Sequence, residues 1–397
     1  MLLRGLPVAG RAPVSALIAV LLLRLADEAA VFPMFGTLES FRADLGLTYT
    51  QAGTVLAAIG PGAVVGGVFA AAADRWSRRV ISAGGAVAFA VSLAMFAAGG
   101  SFAVLAAASF LMGMASTAMV DAGEVALVDM AGDDLRRYLA RANLLATVGG
   151  LLGPALVAAV AVAGLSWRVT FSAAAVLMGL YALLLAAAPL PPPVSNGDGE
   201  DEDRPGLGAV VRDPAVWVLG LIGLLMVPFD EPLVGFTIAL LEEERGASAG
   251  AATVIAFVGV AGGLLAFTVL ARRLEAVEDH RLLLWSVTAM AVAALAIAVV
   301  PVLAVVAIAG LVAAVGLSLA WLAVQHRILT VRPGQVGTTK AVLTVMESVG
   351  MWMPVAIGAI ADQAGLTVAV GSYGVLGAAI VLLVAWSGRR DRDRQPA

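Results

Sequence analysis

Long apolar runs recur along this chain, each about as long as a membrane-crossing helix and each ended by charged residues, glycine or proline. Twelve can be read, at 14–36, 49–73, 80–99, 102–130, 139–163, 169–189, 214–241, 250–271, 282–300, 303–326, 340–362 and 368–387. A helix needs about 20 apolar residues to cross the hydrocarbon of a bilayer. Lipid offers no partners to backbone N–H and C=O groups, so a crossing segment is a helix or a strand of a closed barrel. Runs of this length without strict alternation exclude the barrel. The expected fold is an all-α membrane protein of twelve transmembrane helices in two pseudo-symmetric six-helix bundles.

Composition agrees. Of 397 residues, 61% are hydrophobic and 13% charged, and the mean hydropathy is +0.98. Soluble domains carry about 25% charged residues. That excludes a water-soluble globule and a nucleic-acid binder, which draws its affinity from many basic contacts. Cysteine is absent and histidine occurs only at His280 and His326, so thiol chemistry and a histidine-rich metal site are excluded. No metal ligand set and no nucleophile–base constellation appears, and the chain reads as a non-enzyme without a cofactor. No phosphate-binding loop sequence is present either, which argues against ATP as the energy source. The first apolar run is long and carries charges, unlike a cleavable leader.

The charges that remain are placed asymmetrically. With the N-terminus inside and the spans alternating, 20 of the 24 basic residues fall in inside segments or helix ends. Outside lie Arg42, Arg168 and Arg245, and Arg24 falls within the first span. The positive-inside bias then puts both termini in the cytoplasm of a bacterial-type inner membrane. The connection at 190–212 is unlike the others, being rich in proline, glycine and acids. It reads as a flexible cytoplasmic linker between an N-terminal bundle, 1–189, and a C-terminal bundle with a short tail, 213–397.

The two halves repeat. Asp27, Glu28, Glu39 and Arg42 recur as Asp230, Glu231, Glu242 and Arg245, each 203 residues on. Gly153-Pro154 of span 5 answers Met353-Pro354 of span 11 at an offset of 200. A parallel repeat of six helices marks a two-lobed transporter.

On these features the chain resembles the major facilitator superfamily over essentially its whole length. The family's motif between helices 2 and 3 is matched by AAAADRWSRR at 70–79, where Asp74, Arg75, Arg78 and Arg79 supply the acid and the bases. Ala70 and Ser77 stand where the family usually has glycine. In span 5, TVGGLLGPAL at 147–156 resembles the glycine-rich stretch of the antiporter branches through Gly149, Gly153 and Pro154. Helix 1 through the second connection, with Gly123-Glu124 in helix 4, is also similar to spinster-type lipid transporters. The resemblance implies helices 1, 4, 7 and 10 around a central cavity, and a gating role for the 74–79 and 149–154 motifs. Glycines four apart also allow close helix packing without any role in transport direction.

Charged side chains at mid-membrane cost about 2.5–3.5 kcal/mol each on insertion scales, so retained ones have partners or uses. Span 1 holds Arg24, Asp27 and Glu28, with the arginine one turn from both carboxylates. One arginine cannot balance two acids, so the surplus carries a proton or a cation. With Asp230 and Glu231, which Pro228 and Pro232 bracket, these residues form the expected proton or cation coupling site. Prolines there free helix carbonyls. Thr117, Asp121 and Glu124 recur at four and three and share one face of span 4. With Trp321, Gln325 and Glu347 they make the expected substrate cavity. The acids of spans 1 and 7 read as lying nearer the middle or outer half, and those of span 4 in the inner half.

The expectation is therefore a monomeric secondary transporter in contact with membrane lipids, exporting a small cationic or amphiphilic molecule by proton-coupled alternating access. Proton or sodium is the coupling ion. A spinster-type lysolipid or lipid exporter, a cation-coupled symporter and a non-transporting receptor or scaffold stay open beside it.

Overall fold

The computed structural model describes residues 13–71, 77–131, 135–190, 210–274, 277–331 and 336–394. Sixteen helices are described, with no strand among these residues. In the first half they are α1 (Val14–Gly36), α2 (Leu38–Leu45), α3 (Tyr49–Ala57), α4 (Ile59–Ala71), α5 (Arg78–Ala98), α6 (Phe102–Ala131), α7 (Leu135–Val162) and α8 (Trp167–Ala187). In the second they are α9 (Pro214–Met226), α10 (Glu231–Glu243), α11 (Ala249–Leu274), α12 (Asp279–Val299), α13 (Leu303–Val331), α14 (Val336–Gly350), α15 (Met353–Ala364) and α16 (Leu366–Arg394).

Each of the twelve apolar runs is helical, and the first runs from Val14 to Gly36 as its apolar pattern does. Three runs are interrupted. Span 2 divides into α3 and α4, span 7 into α9 and α10, and span 11 into α14 and α15. The break in span 7 is a 3₁₀ turn over Val227–Phe229 that contains Pro228, with Pro232 in the first turn of the helix that follows. A proline lacks the N–H for the carbonyl four residues earlier, which explains the break. Pro33 and Pro154, by contrast, sit inside continuous helices α1 and α7. Eleven described segments are long and apolar enough to cross a membrane. α1 is not among them, because it packs Arg24, Asp27 and Glu28 into five residues.

The chain forms two compact units. The first comprises Met1–Met34 and Ala58–Gly199, the second Phe35–Ala57 and Glu200–Ala397. The second unit thus takes in α2, α3 and the end of α1. The expected linker at 190–212 lies almost wholly outside the described residues.

Helix neighbours repeat between the units. In the first, α6 packs against α4 and α5, and α5 against α8. In the second, α13 packs against α11 and α12, and α12 against α16. These are spans 2–4, 3–4 and 3–6, then 8–10, 9–10 and 9–12. Glycines at positive φ close the connections after spans 1, 5, 7 and 11 at Gly46, Gly164, Gly246 and Gly365. That is again one pattern used twice.

Small residues set these contacts. A Cβ at Gly62 would overlap the carbonyl of Phe110, one at Gly113 the carbonyl of Ile59, and one at Gly85 would crowd the backbone of Met119. Without a hydrophobic force between helices in lipid, such backbone approach supplies van der Waals contact and Cα–H···O bonds. Larger apolar residues fill what remains, as in the stack of Phe96 on Phe171, whose ring centroids are 4.2 Å apart, with Trp167 edge-on to both.

This packing makes a paired prediction. Gly113→Ala destabilises the purified protein in detergent by about 1–3 kcal/mol, the usual cost of overpacking. Gly84→Ala, where an added Cβ meets nothing within 4 Å, leaves the thermal midpoint unchanged or raised. Equal midpoints for the two variants would contradict it.

Candidate functional site

The charged stretch of α1 faces α6 inside the first unit. Gly123 allows the approach, since a Cβ there would overlap the Leu23 side chain. One residue further along each helix, Arg24 Nε donates to Glu124 Oε1 at 2.8 Å and Nη2 reaches the same oxygen. One turn on, Asp27 is 8% exposed and accepts a hydrogen bond from Ser116 Oγ at 2.6 Å. Arg24, Asp121 and Glu124 all act electrostatically on Asp27. The side chains of Arg24 and Glu124 keep 34% and 41% of their surface open, so the pair borders free space while Asp27 is enclosed.

The helix interface adds to what spacing reports. Spacing alone pairs Arg24 with the carboxylates of its own helix. Across the helix interface it also bonds Glu124, while Asp27 and Glu28 still act on it electrostatically. Antiparallel packing puts Arg24 level with Glu124 and Asp27 with the Ser116–Asp121 turn.

α7 packs on the other side of α1. A Cβ at Gly149 would overlap the Leu25 carbonyl and crowd Glu28 Cβ, and one at Gly153 would crowd Phe32 Cβ. Pro154 is buried within α7. The two glycines of the span 5 motif therefore seat the charged helix. Thr117 Cβ lies close to where a Gly66 side chain would begin on α4, and Asp121 is half-buried.

In the second unit Asp230 is the residue before α10, at the break in span 7, and is exposed. Glu231 opens α10 and is half-buried. Glu347 of α14 lies beside Gly223 of α9, where a Cβ would come within 2.9 Å of its Oε1. Trp321 is half-buried on α13. Gln325 also lies on α13, with its side chain outside the described residues. Of the second-connection motif, Arg78 opens α5 and is buried, and Arg79 is exposed. Asp74 and Arg75 lie outside the described residues. His326 Nδ1 is 2.5 Å from Asp279 Oδ2 at the ends of α13 and α12, an end-of-helix pair, as its place in the sequence suggests. Among the described residues no group of three or more acids or histidines could hold a metal ion.

Sequence reasoning passed over Ser116, the enclosed carboxylate's partner. Its signal was present, one residue before Thr117 on the polar stripe of span 4. A double-mutant cycle tests the interhelical pair. Arg24→Gln and Glu124→Gln each lower the unfolding free energy, and the double variant loses less than their sum by about 0.5–1 kcal/mol. Strict additivity would show that the two side chains are uncoupled.

Known proteins share this architecture. Over 151 residues the chain is 34% identical to the chloramphenicol resistance protein of Streptomyces lividans, a stretch covering 36% of this chain and 37% of that protein. Among solved structures it is similar to the nucleoside transporter NupG in its D323A form, with a TM-score of 0.79 at 13% identity, covering 93% of this chain and 99% of that one. It is similar to a bacterial homologue of the human lysosomal transporter Spinster, with a TM-score of 0.76 at 17% identity over 96% and 98% of the two chains. A D-xylose–proton symporter gives a TM-score of 0.71 at 15% identity over 94% and 96%. The family model of the Major Facilitator Superfamily matches residues 17–353. With twelve helical spans paired twice in the same order, the chain belongs to the major facilitator superfamily, and it is a membrane transporter rather than an enzyme.

Proposed function

We propose that the protein exports a small cationic or amphiphilic molecule by alternating access, driven by protons that load at Asp27. The observation that carries this reading is the enclosed Asp27 carboxylate between α1 and α6. Its one basic neighbour on α1, Arg24, is shared: it bonds Glu124 and also acts electrostatically on Asp27 and Glu28. A carboxylate enclosed in low dielectric needs a compensating positive charge or a proton, and Ser116 supplies only a neutral hydrogen bond. Proton uptake at Asp27 then changes the charge of the α1–α6 interface. Glu124 and Arg24, which border open space, are placed to meet a charged substrate. Asp230 and Glu231, at a helix break, are a second acidic station for the coupling ion; Asp121 in the first unit, and Trp321, Gln325 and Glu347 in the second, are the further residues proposed to meet the substrate.

Export as the direction is supported by the family's antiporter-like Gly149, Gly153 and Pro154, and by the relative named for chloramphenicol resistance. In the proposed orientation both termini are cytoplasmic in a bacterial-type inner membrane, following the bias of 20 in 24 basic residues.

The test uses the purified protein in liposomes under an imposed pH gradient, with ethidium, chloramphenicol and a fluorescent lysolipid as probes. Wild type moves at least one of them in response to the gradient, and Asp27→Asn abolishes that response while inserting normally. A response unchanged in Asp27→Asn removes the assignment. No movement of any probe against any gradient favours a receptor or scaffold.

A further inference from the structure

The second compact unit contains a piece of the N-terminal half of the chain, Phe35–Ala57. What holds it there is specific. α3 and α15 meet through a reciprocal pair of glycines: a Cβ at Gly53 would overlap the Pro354 carbonyl, and a Cβ at Gly358 the Tyr49 carbonyl. At the start of α3, Asp362 of α15 accepts from Tyr49 N at 2.7 Å, Thr50 N at 2.8 Å and Thr50 Oγ1 at 2.6 Å. Beside it, Glu39 of α2 is 4% exposed and accepts from Arg42 and from the Tyr49 hydroxyl at 2.7 Å. Arg42 lies over the Tyr49 ring and also reaches Glu243 at the end of α10. The hydrogen bonds it donates to Glu39 push the Arg42 guanidinium above its ordinary pKa, so it stays charged.

The start of α3 is capped twice. A helix leaves its first N–H groups without partners, and a side chain normally supplies them. α3 has its own reciprocal box: Gln51 N donates to Thr48 Oγ1 at 3.1 Å and Thr48 N donates to Gln51 Oε1 at 3.0 Å. Asp362 adds a second, charged cap from the other half of the chain. The same chemistry occurs once more in this unit. Glu244 accepts from Leu366 N at 2.6 Å, Thr367 N at 3.1 Å and Thr367 Oγ1 at 2.6 Å. That cap joins two parts of the C-terminal half. α16 follows Gly365, which has no side chain to cap it, whereas α3 keeps its own box if Asp362 leaves.

From this difference we propose that Asp362 and the start of α3 form a releasable clasp. The carboxylate holds Phe35–Ala57 against the C-terminal helices in one state of the cycle and lets go in the other, while the Thr48–Gln51 box keeps α3 intact. The glycine pair sets the register in which the clasp closes, and the Glu39–Arg42–Glu243 cluster flanks it. Glu244, with equal bonds but both ends in one half, is a fixed cap. The proposal rests on the alternating-access reading but is tested without substrate, so a failed transport assay does not touch it.

The natural chain has no cysteine, so spin labels can be placed at Ala43→Cys on α2 and Ala251→Cys on α11, both exposed. Dipolar spin-resonance distances in the full-length protein report whether the clasp is closed. Asp362→Ala raises the ratio of the longer to the shorter distance about tenfold, which corresponds to ~1.4 kcal/mol, and Asp362→Asn gives a smaller rise. Glu244→Ala lowers the thermal midpoint and leaves the distances unchanged. Should Asp362→Ala fail to fold, Gly358→Ala wedges the same contact and gives the same rise. Unchanged distances in the Asp362 and Gly358 variants overturn the proposal. So does an equal rise in Glu244→Ala, which would mark general loosening.

Discussion

An acid inside a lipid-facing bundle must be neutralised by something within reach, and α1 carries two acids and a base within five residues. The interface of α1 with α6 and α7 follows from that constraint. Gly123 on α6 and Gly149 and Gly153 on α7 remove the side chains that would hold those helices away from α1. The close approach lets Arg24 reach Glu124 and lets Ser116 reach Asp27. Substitution of any of these glycines would act on the polar pairs through distance, without touching a charge. The span 5 glycines are thus both packing elements and supports for the charged helix, and the two readings of that motif converge.

The repeat in the chain is a repeat of packing more than of chemistry. The pairings of spans 2–4, 3–4 and 3–6 recur as 8–10, 9–10 and 9–12, and positive-φ glycines close equivalent turns. Asp27 and Asp230 nonetheless stand in different settings despite their common offset. Asp27 lies mid-helix, enclosed and bonded to a hydroxyl. Asp230 precedes a helix start after a 3₁₀ turn, and is exposed. Pro228 and Pro232 have no counterparts around Asp27, so the backbone diverges where the acids coincide. Two acids in unlike surroundings suit two tasks better than a duplicated one.

Much of the fold was legible because lipid imposes one simple rule on length and polarity. α1 ends where its apolar pattern ends, and the span 7 break sits where two prolines announce it. The breaks in spans 2 and 11 carry a signal of the same kind, since Pro61 and Pro354 lack the N–H for the carbonyls of Ala57 and Gly350, but the apolar pattern runs on through both. Spacing reports the neighbours of Arg24 along its helix, Asp27 and Glu28, but not its hydrogen-bond partner Glu124, 100 residues away. The placement of Phe35–Ala57 with the C-terminal helices depends on Asp362, more than 300 residues from its partners. Only the capping-box spelling at Thr48–Gln51 was visible locally. Side-chain identity along one helix marked which residues matter, and the helix opposite decided what each one does.

The most direct test of the account is whether Asp27 exchanges a proton over the working pH range. Infrared difference spectra of the purified protein, recorded across a pH titration, isolate the C=O stretch of protonated carboxyl groups. The account predicts a titrating carboxyl band in wild type that is absent in Asp27→Asn and retained in Glu124→Gln. A spectrum of Asp27→Asn that titrates as wild type does would contradict the claim that Asp27 is the proton-loading group.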